Sequence, residues 1–497
     1  MPATILDAKA QTGQITWTRD LARDLFPGPV TPFAWTLLRD PAEAAIQQTW
    51  ADLGAADLDA RSFWHRGEDC RVVLNSTALR RASLALHGAA WLGAIPGQPP
   101  AGPIARWRAQ GSVRRTEQAV TTAFSNVPAS QARLASWLNA MRRLRWSQAD
   151  LLQVMEELEP AAQEALHAYL TLRAGLAGAA AQVSEWLDQW VPARPPNVVH
   201  HLYAALEGLP SVAAAGALAA LSGGFAGHAD RQAFLAHYGH RGPGELRPDA
   251  WRWHDHPEAM DAVAALLPRR EGHHAADLRG AAQGWLSTRL DAAQHREFQP
   301  VLERARALCR AADIAWDMLT IVMAAAQLWS RALAAEAMAA GLLAEAADVC
   351  YLELEELKRI ATGEWHGGNR DEVRAEIARR QATMSRLPAV APPHAVAMVP
   401  ASPGQARGPA QPMPIGTYAP PEPGAVLVAE AADPGWTAHW LAASAVVVSA
   451  PDLWSSGMIV ARTLGVPAVA GARQIVEKVR AGQTVVVDGD AGQALLE

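Results

Sequence analysis

The chain has 497 residues, half of them hydrophobic, which is enough for a large core and, at roughly 100–200 residues per domain, for two to four domains. A formal net charge of -6 and arginines scattered along the chain exclude the basic stripe that captures a nucleic-acid backbone, so no nucleic-acid partner is expected. Cys70, Cys309 and Cys350 stand too far apart for a disulfide framework or a structural zinc, which fits a reducing, cytoplasmic setting.

The first twenty residues carry no cationic start followed by an apolar stretch, so no secretory signal is expected there. Arg71 to Leu74 (RVVL) reads as a strand before a turn at Asn75 and Ser76. From about Thr116 to Arg386 strong helix formers dominate, and apolar residues recur at three and four, as in Leu134, Trp137, Leu138, Met141 and Leu144. Gly and Pro at Pro192 to Asn197, Gly239 to Gly244 and near Gly272 divide this region into separate helices. Its most apolar run, Ser211 to Gly223, is shorter than the ~20 residues a membrane helix needs, so no membrane partner is expected.

Between Leu387 and Pro423 proline is too frequent for a helix, and a linker is expected over 387–400. Beyond it the β-branched runs AVLVAE, SAVVVSA, VPAVAG and TVVVDG alternate with helix-compatible WTAHWLAA, SGMIVARTL and RQIVEKVRA, the pattern of a compact α/β unit. The expected class is α+β multidomain: a mainly helical domain over 1–386 with some β structure, then a small α/β domain over 401–497.

In that last domain ASPGQARGP (401–409), DPGWT (433–437), IVAR (459–462), GVPAV (465–469) and DGDAG (488–492) resemble the mobile, swivelling domain of phosphoenolpyruvate-utilising enzymes. Weaker matches upstream, among them Phe26 to Pro32, HYGHRGPGELRP (237–248) and Ala347 to Leu352, resemble the substrate-binding region of rifampin phosphotransferase. The resemblance implies a phosphotransferase family in which a swivel histidine shuttles phosphate. Aligned on Ile459 to Arg462, that histidine falls on Ser456, and the glycine pair that usually precedes it is replaced within Ala450 to Trp454. Imidazole forms a labile phosphoramidate, whereas a serine hydroxyl gives a stable ester and needs a base, so Ser456 is expected to be inactive in the relay. No GxxxxGK[ST] loop occurs in these residues, and no cofactor is expected.

The densest polar cluster is His237, His240, Arg241, Glu245 and Arg247 around Gly239, Gly242, Pro243 and Gly244. Arg241 has the fork geometry for an anion, His240 has an imidazole for general acid or base work and Glu245 can orient either, which makes these three the catalytic candidates beside the Ser456 position. The alternative is a structural loop in which Arg and Glu pair with each other. His237 and Arg247 are substrate-binding candidates, as are Arg296 and Glu297, whose resemblance to a family pair implies a place facing the substrate cavity. His273 and His274 lack an acidic partner at metal spacing, so no metal site is expected.

These residues lead to an enzyme repurposed to act on a small, aromatic or natural-product ligand in the helical domain. The alternatives are a non-catalytic protein that sequesters such a ligand, and the acceptor subunit of a split phosphotransferase whose separate ATP-binding chain supplies the nucleotide site.

Overall fold

A computed structural model describes residues 15–19, 22–23, 25–54, 63–85, 103–195, 197–221, 227–267, 273–386, 398–414 and 418–497. The expected linker therefore lies, as far as residue 397, outside the described residues.

Helices α1 (Pro32–Leu53), α2 (Ser76–Ala85), α3 (Pro103–Met141), α4 (Gln148–Trp190), α5 (Val198–His201), α6 (Pro210–Ala220), α7 (His228–Tyr238), α8 (Ala259–Leu266), α9 (His273–Ser287), α10 (Ala292–Ala339), α11 (Leu354–Ala361) and α12 (Arg370–Ser385) build the body. Three long helices start at sequence-encoded caps. Thr31 caps α1 with Pro32 in its first turn, Ser147 and Asp150 close a capping box on α4, and Asp291 with Gln294 does so on α10. α1 stops at Gly54, whose φ of 101° suits only glycine.

α1, α3, α4 and α10 pack together around one continuous apolar core that includes Leu37, Leu172, Leu176, Ala312, Met318 and Trp329. Over its middle, α10 buries residues on every side. It is long and apolar enough by composition to cross a membrane, but 78% of its most apolar window is buried inside the protein, as expected of a core helix. The buried Trp329 indole donates to the Leu151 carbonyl, tying α10 to α4.

The predicted strand at 71–74 is seen as β3 (Val72–Asn75), the middle of a three-stranded antiparallel sheet with β1 (Trp17–Thr18) and β2 (Trp64–Arg66). The turn expected at Asn75 and Ser76 is instead a direct entry into α2, with the Asn75 side chain accepting from the Ala78 amide.

The C-terminal unit holds β4 (Val399–Ser402), β5 (Gln405–Pro412), β6 (Val426–Ala429), β7 (Ala445–Val448), β8 (Ala468–Ala470), β9 (Thr484–Asp488) and β10 (Gln493–Leu496). They form one mixed sheet in the order β10-β9-β5-β6-β7-β8-β4, parallel from β5 to β8 and antiparallel toward both edges. α13 (Thr437–Ala442), α14 (Ser456–Leu464) and α15 (Arg473–Lys478) connect the strands. The four predicted β-branched runs are β6 to β9, and the three predicted helical segments are α13 to α15. The architecture is α+β and multidomain.

β5 departs from expectation, because its prolines and glycines argued for linker and turn. It carries Pro409 and Pro412 yet sits between β6 and β9. Pro409 faces Thr484 at the end of the β9 register, and the next amide, that of Ala410, donates to the Gln483 carbonyl, so pairing resumes immediately after the missing donor.

Candidate functional site

The loop after α7 brings His240, Arg241 and Glu245 together under α10. Three backbone acceptors fix its path: Arg252 donates to the carbonyls of His240 (2.6 Å), Arg247 (2.9 Å) and Glu245 (3.2 Å). A Cβ at Gly242 would lie 2.2 Å from the Trp251 carbonyl oxygen, so only glycine lets these two backbone segments touch.

Arg241 is fully buried. Its Nε donates to Glu245 Oε1 at 2.7 Å and Nη2 to Oε2 at 3.1 Å, Nη1 donates to Asp317 Oδ1 at 3.1 Å, and Nη2 also reaches Ser211 Oγ at 2.8 Å. His240 Nε2 lies 3.0 Å from the same Asp317 oxygen, and Gln131 donates to the other at 2.8 Å. The Trp316 indole donates to Glu245 Oε2 at 2.7 Å, and Asp313 accepts from the amide and hydroxyl of Ser211.

Burial raises the cost of charge throughout this network, and partners decide the outcome. Asp317 faces that burial but is held down at about 2 by His240, Arg241 and Gln131. Burial pushes Asp313 up to about 6, because Arg241 and Ser211 offset it only in part. Arg241 is raised, its desolvation outweighed by Glu245 and Asp317.

The sheet unit docks directly on this loop. Asp433, in the DPGWT turn before α13, accepts from the Gly244 amide at 2.5 Å and from the Gly435 amide at 2.8 Å. A Cβ on Gly435 would stand 2.2 Å from the Gly242 carbonyl oxygen and 2.3 Å from Glu245 Cγ. Between the two turns a small cleft is lined by Pro27, Glu245, Leu246, Trp316, Asp433 and Trp436, among others. Its room of about 20 Å³ suffices for a single water and no larger guest. Burial, then the neighbouring Glu245 charge, pushes Asp433 up to about 7, against the two amides.

Further contacts pin the seam. Glu430 of the sheet unit meets Arg19 at 2.5 Å and Arg71 at 3.1 Å, Asp490 accepts from Asn197 at 2.7 Å, and Tyr418 stacks on Trp251 with centroids 4.3 Å apart. Arg173 of α4 donates to Asp452 at 2.5 Å and also to the Trp454 carbonyl, within the stretch that replaces the expected glycine pair.

Ser456 is the first residue of α14 and 1% exposed. Ser455 before it caps the helix, its hydroxyl accepting from the Met458 amide. The Ser456 hydroxyl has no hydrogen-bond partner among the described residues. Among the described residues no side chain lies within hydrogen-bond distance to act on it as a base.

The other candidates lie apart. Arg247 is half-buried and paired with Asp249 at 2.6 Å, and His237 is exposed with Nδ1 2.9 Å from the Ala233 carbonyl oxygen. Arg296 and Glu297 are exposed near the start of α10, where Arg296 donates to the Ala292 carbonyl. Among the described residues no group of three or more His, Cys, Asp or Glu side chains has the placement to hold a metal. Sequence reasoning missed Asp313, Trp316 and Asp317 on α10, which a helical wheel shows only as part of a buried face. It also quoted DPGWT as a motif without weighing its aspartate.

Residues 421–492 match the mobile domain of the PEP-utilising enzymes, and residues 181–320 match the fourth domain of rifampicin phosphotransferase. Both matches liken the chain to the phosphoenolpyruvate-utilising enzymes, the second to rifampicin phosphotransferase in particular. It is 27% identical over 470 residues to the rifampicin phosphotransferase of Streptomyces sviceus, covering 80% of this chain and 52% of that one, so the chain spans about half the length of this relative. Over 71 residues it is 41% identical to the phosphoenolpyruvate synthase of Aeropyrum pernix (14% of this chain, 9% of the relative). Over 76 residues it is 30% identical to the prodigiosin synthesizing transferase PigC of Serratia marcescens (15% and 9%).

Proposed function

We propose that this cytoplasmic chain does not carry phosphate itself and works instead as an acid–base enzyme on a small, flat ligand taken in at the seam between the helical body and the swivel-like unit. The observation that carries this reading is the contrast between two neighbouring positions. Ser456, where the resemblance puts the phosphate carrier, is buried with neither a base nor a hydrogen-bond partner among the described residues. The adjoining cleft has two carboxyl groups, Glu245 and Asp433, and two indoles, Trp316 and Trp436. Carboxyl groups exchange protons and indoles offer flat apolar contact, which suits an aromatic guest once the seam parts, since the closed cleft has room for one water only.

A sequestering protein is the second reading. It is favoured by the saturation of Arg241, whose pairing with Glu245, Asp317 and Ser211 leaves it no fork for a substrate anion.

The test begins with labelled ATP and labelled phosphoenolpyruvate with Mg²⁺, followed by acid and alkali treatment of the protein. No bound label is expected; acid-labile, alkali-stable label would show a phosphohistidine and overturn the reading. A panel of planar aromatic compounds is then screened by thermal shift, and binders are followed for product. Turnover supports the enzyme, and tight binding without product supports sequestration.

A further inference from the structure

A second cleft, on the other side of α4 from the seam, is far roomier. Tyr169 and Arg173 turn one face of α4 toward Trp316 and the sheet unit, while Glu164, His167 and Ala168 line a cleft on the opposite face together with α3 and the end of α1. Its volume is about 370 Å³, open to solvent on one side, against about 20 Å³ in the seam. Pockets that hold small molecules run from roughly 300 to 1,000 Å³, so this cleft takes a guest without the protein having to part.

Helical spacing builds the long wall. The α3 residues that face the cleft recur every three or four positions from Arg115 to Ser130, a stripe about 22 Å long. Ala119, Ala123 and Val127 give this stripe an apolar floor, and Gln118, Thr122 and Asn126 flank it with groups that both donate and accept. Among the described residues no Phe, Tyr or Trp lines the cleft.

Negative charge gathers at one part of it. Asp52, in the last turn of α1, lies 2.9 Å through Oδ2 from His167 Nε2, and Glu164 stands three residues before His167 on the same face of α4. Both carboxylates keep open surface, with side-chain exposures of 42% for Asp52 and 37% for Glu164. Against partial burial, hydrogen bonds from Arg133 and Ser130 hold Glu164 below the ordinary carboxylate range, so it meets a guest as an anion. The guanidinium of the lining, Arg115, sits at the other end of the α3 stripe from Ser130. Among the described residues no group of three or more His, Cys, Asp or Glu is placed to hold a metal ion, which leaves an organic cation as the complement of this acidic wall.

We propose that this cleft is a second ligand site, independent of the seam, and that its guest is a small, saturated, hydroxylated amine with the chemistry of an amino sugar. The ammonium lies against Asp52 and Glu164, where hydrogen bonds are charge-assisted, and His167 holds the Asp52 carboxylate in place. The hydroxyls meet Gln118, Thr122 and Asn126. The C–H face of the ring rests on Ala119, Ala123 and Val127, small side chains that offer contact area but no π face, and so favour a saturated ring over a flat aromatic one.

The experiment is calorimetric titration of the full chain with D-glucosamine, with glucose and N-acetylglucosamine as probes that lack the ammonium. Glucosamine is expected to bind at one site per chain, and each comparator about ten-fold more weakly, the worth of one hydrogen bond to a charged group. Asp52→Asn and Glu164→Gln, both at partly exposed side chains and both keeping an acceptor, should each weaken glucosamine about ten-fold with the unfolding midpoint unchanged. Arg115→Ala should bind it as tightly as the wild type or more so. No heat with millimolar glucosamine overturns the proposal. Equal binding of the three sugars, or a loss confined to Arg115→Ala, overturns the cationic guest, and full affinity in both carboxylate variants overturns the site. The seam is tested with planar aromatic compounds and this cleft with a saturated amine, so either reading can fail while the other stands.

Discussion

Arg173 on α4 and Asp452 in the loop before α14 form a 2.5 Å ion pair in which the Arg173 side chain is 2% exposed and that of Asp452 12%. The pair joins residues 279 positions apart and ties the swivel-like unit to α4 of the body. Removing one partner of a buried pair leaves the other charged and unpaired, at a cost of about 3–5 kcal/mol. Arg173→Met is expected to lose roughly the lower end of that range, about 3 kcal/mol. Hydrogen exchange of the 450–464 segment should rise at once, while α1 and α10 stay protected; uniform loss of protection would point to global unfolding instead.

Arg241→Ala should behave as a core mutation. It strands Glu245 and Asp317 in the interior, and a loss of about 3–5 kcal/mol in urea unfolding is expected. A stable Arg241→Ala protein that has merely lost ligand affinity would contradict the structural role seen here.

The two acids on α10 predict opposite pH limbs. Asp317 lies below its unfolded value, so it stabilises the fold above pH ~4, and that contribution disappears as pH falls through about 2. Asp317→Asn is therefore expected to cost about 2 kcal/mol at pH 7 and almost nothing at pH 2.

Asp313 lies above its unfolded value, so the folded state holds the extra proton, and stability is lost as pH rises from ~4 through about 6. Asp313→Asn keeps an acceptor for the Ser211 amide and should flatten that limb. Denaturation midpoints measured from pH 2 to 8 for wild type and both variants check the pair of signs.

Ser456→Ala should be nearly neutral or slightly stabilising, within about 1 kcal/mol, because it removes a buried hydroxyl that has no partner among the described residues. A loss of ligand turnover in this variant, with stability unchanged, would give the hydroxyl a chemical role after all.

Much of the fold was legible from local pattern. β6 to β9 announce themselves through Val-rich runs bounded by Gly and Pro, and the helix starts at Thr31, Ser147 and Asp291 carry their caps in sequence. β5 was not legible, since its pairing is secured by neighbours on both sides rather than by its own composition. In the site, Arg241 and Glu245 stand four apart and could be paired on sight. Their further partners could not. Asp317, Trp316 and Asp433 reach the loop only through tertiary packing across 70 to 190 residues, for which single-sequence periodicity has no signal.

The closeness of the two halves of the molecule is written largely in atoms that are missing. At Gly435 a single added carbon would sit 2.2 Å from the Gly242 carbonyl oxygen and 2.3 Å from Glu245 Cγ across the seam, so the contact has no graded series of weaker versions between closed and pried apart. Random drift can therefore abolish the assembly in one step at this position but cannot tune it there. A laboratory library meant to adjust how readily the protein opens should vary the rim, at Arg19, Glu430, Trp251 and Tyr418, and leave Gly435 untouched.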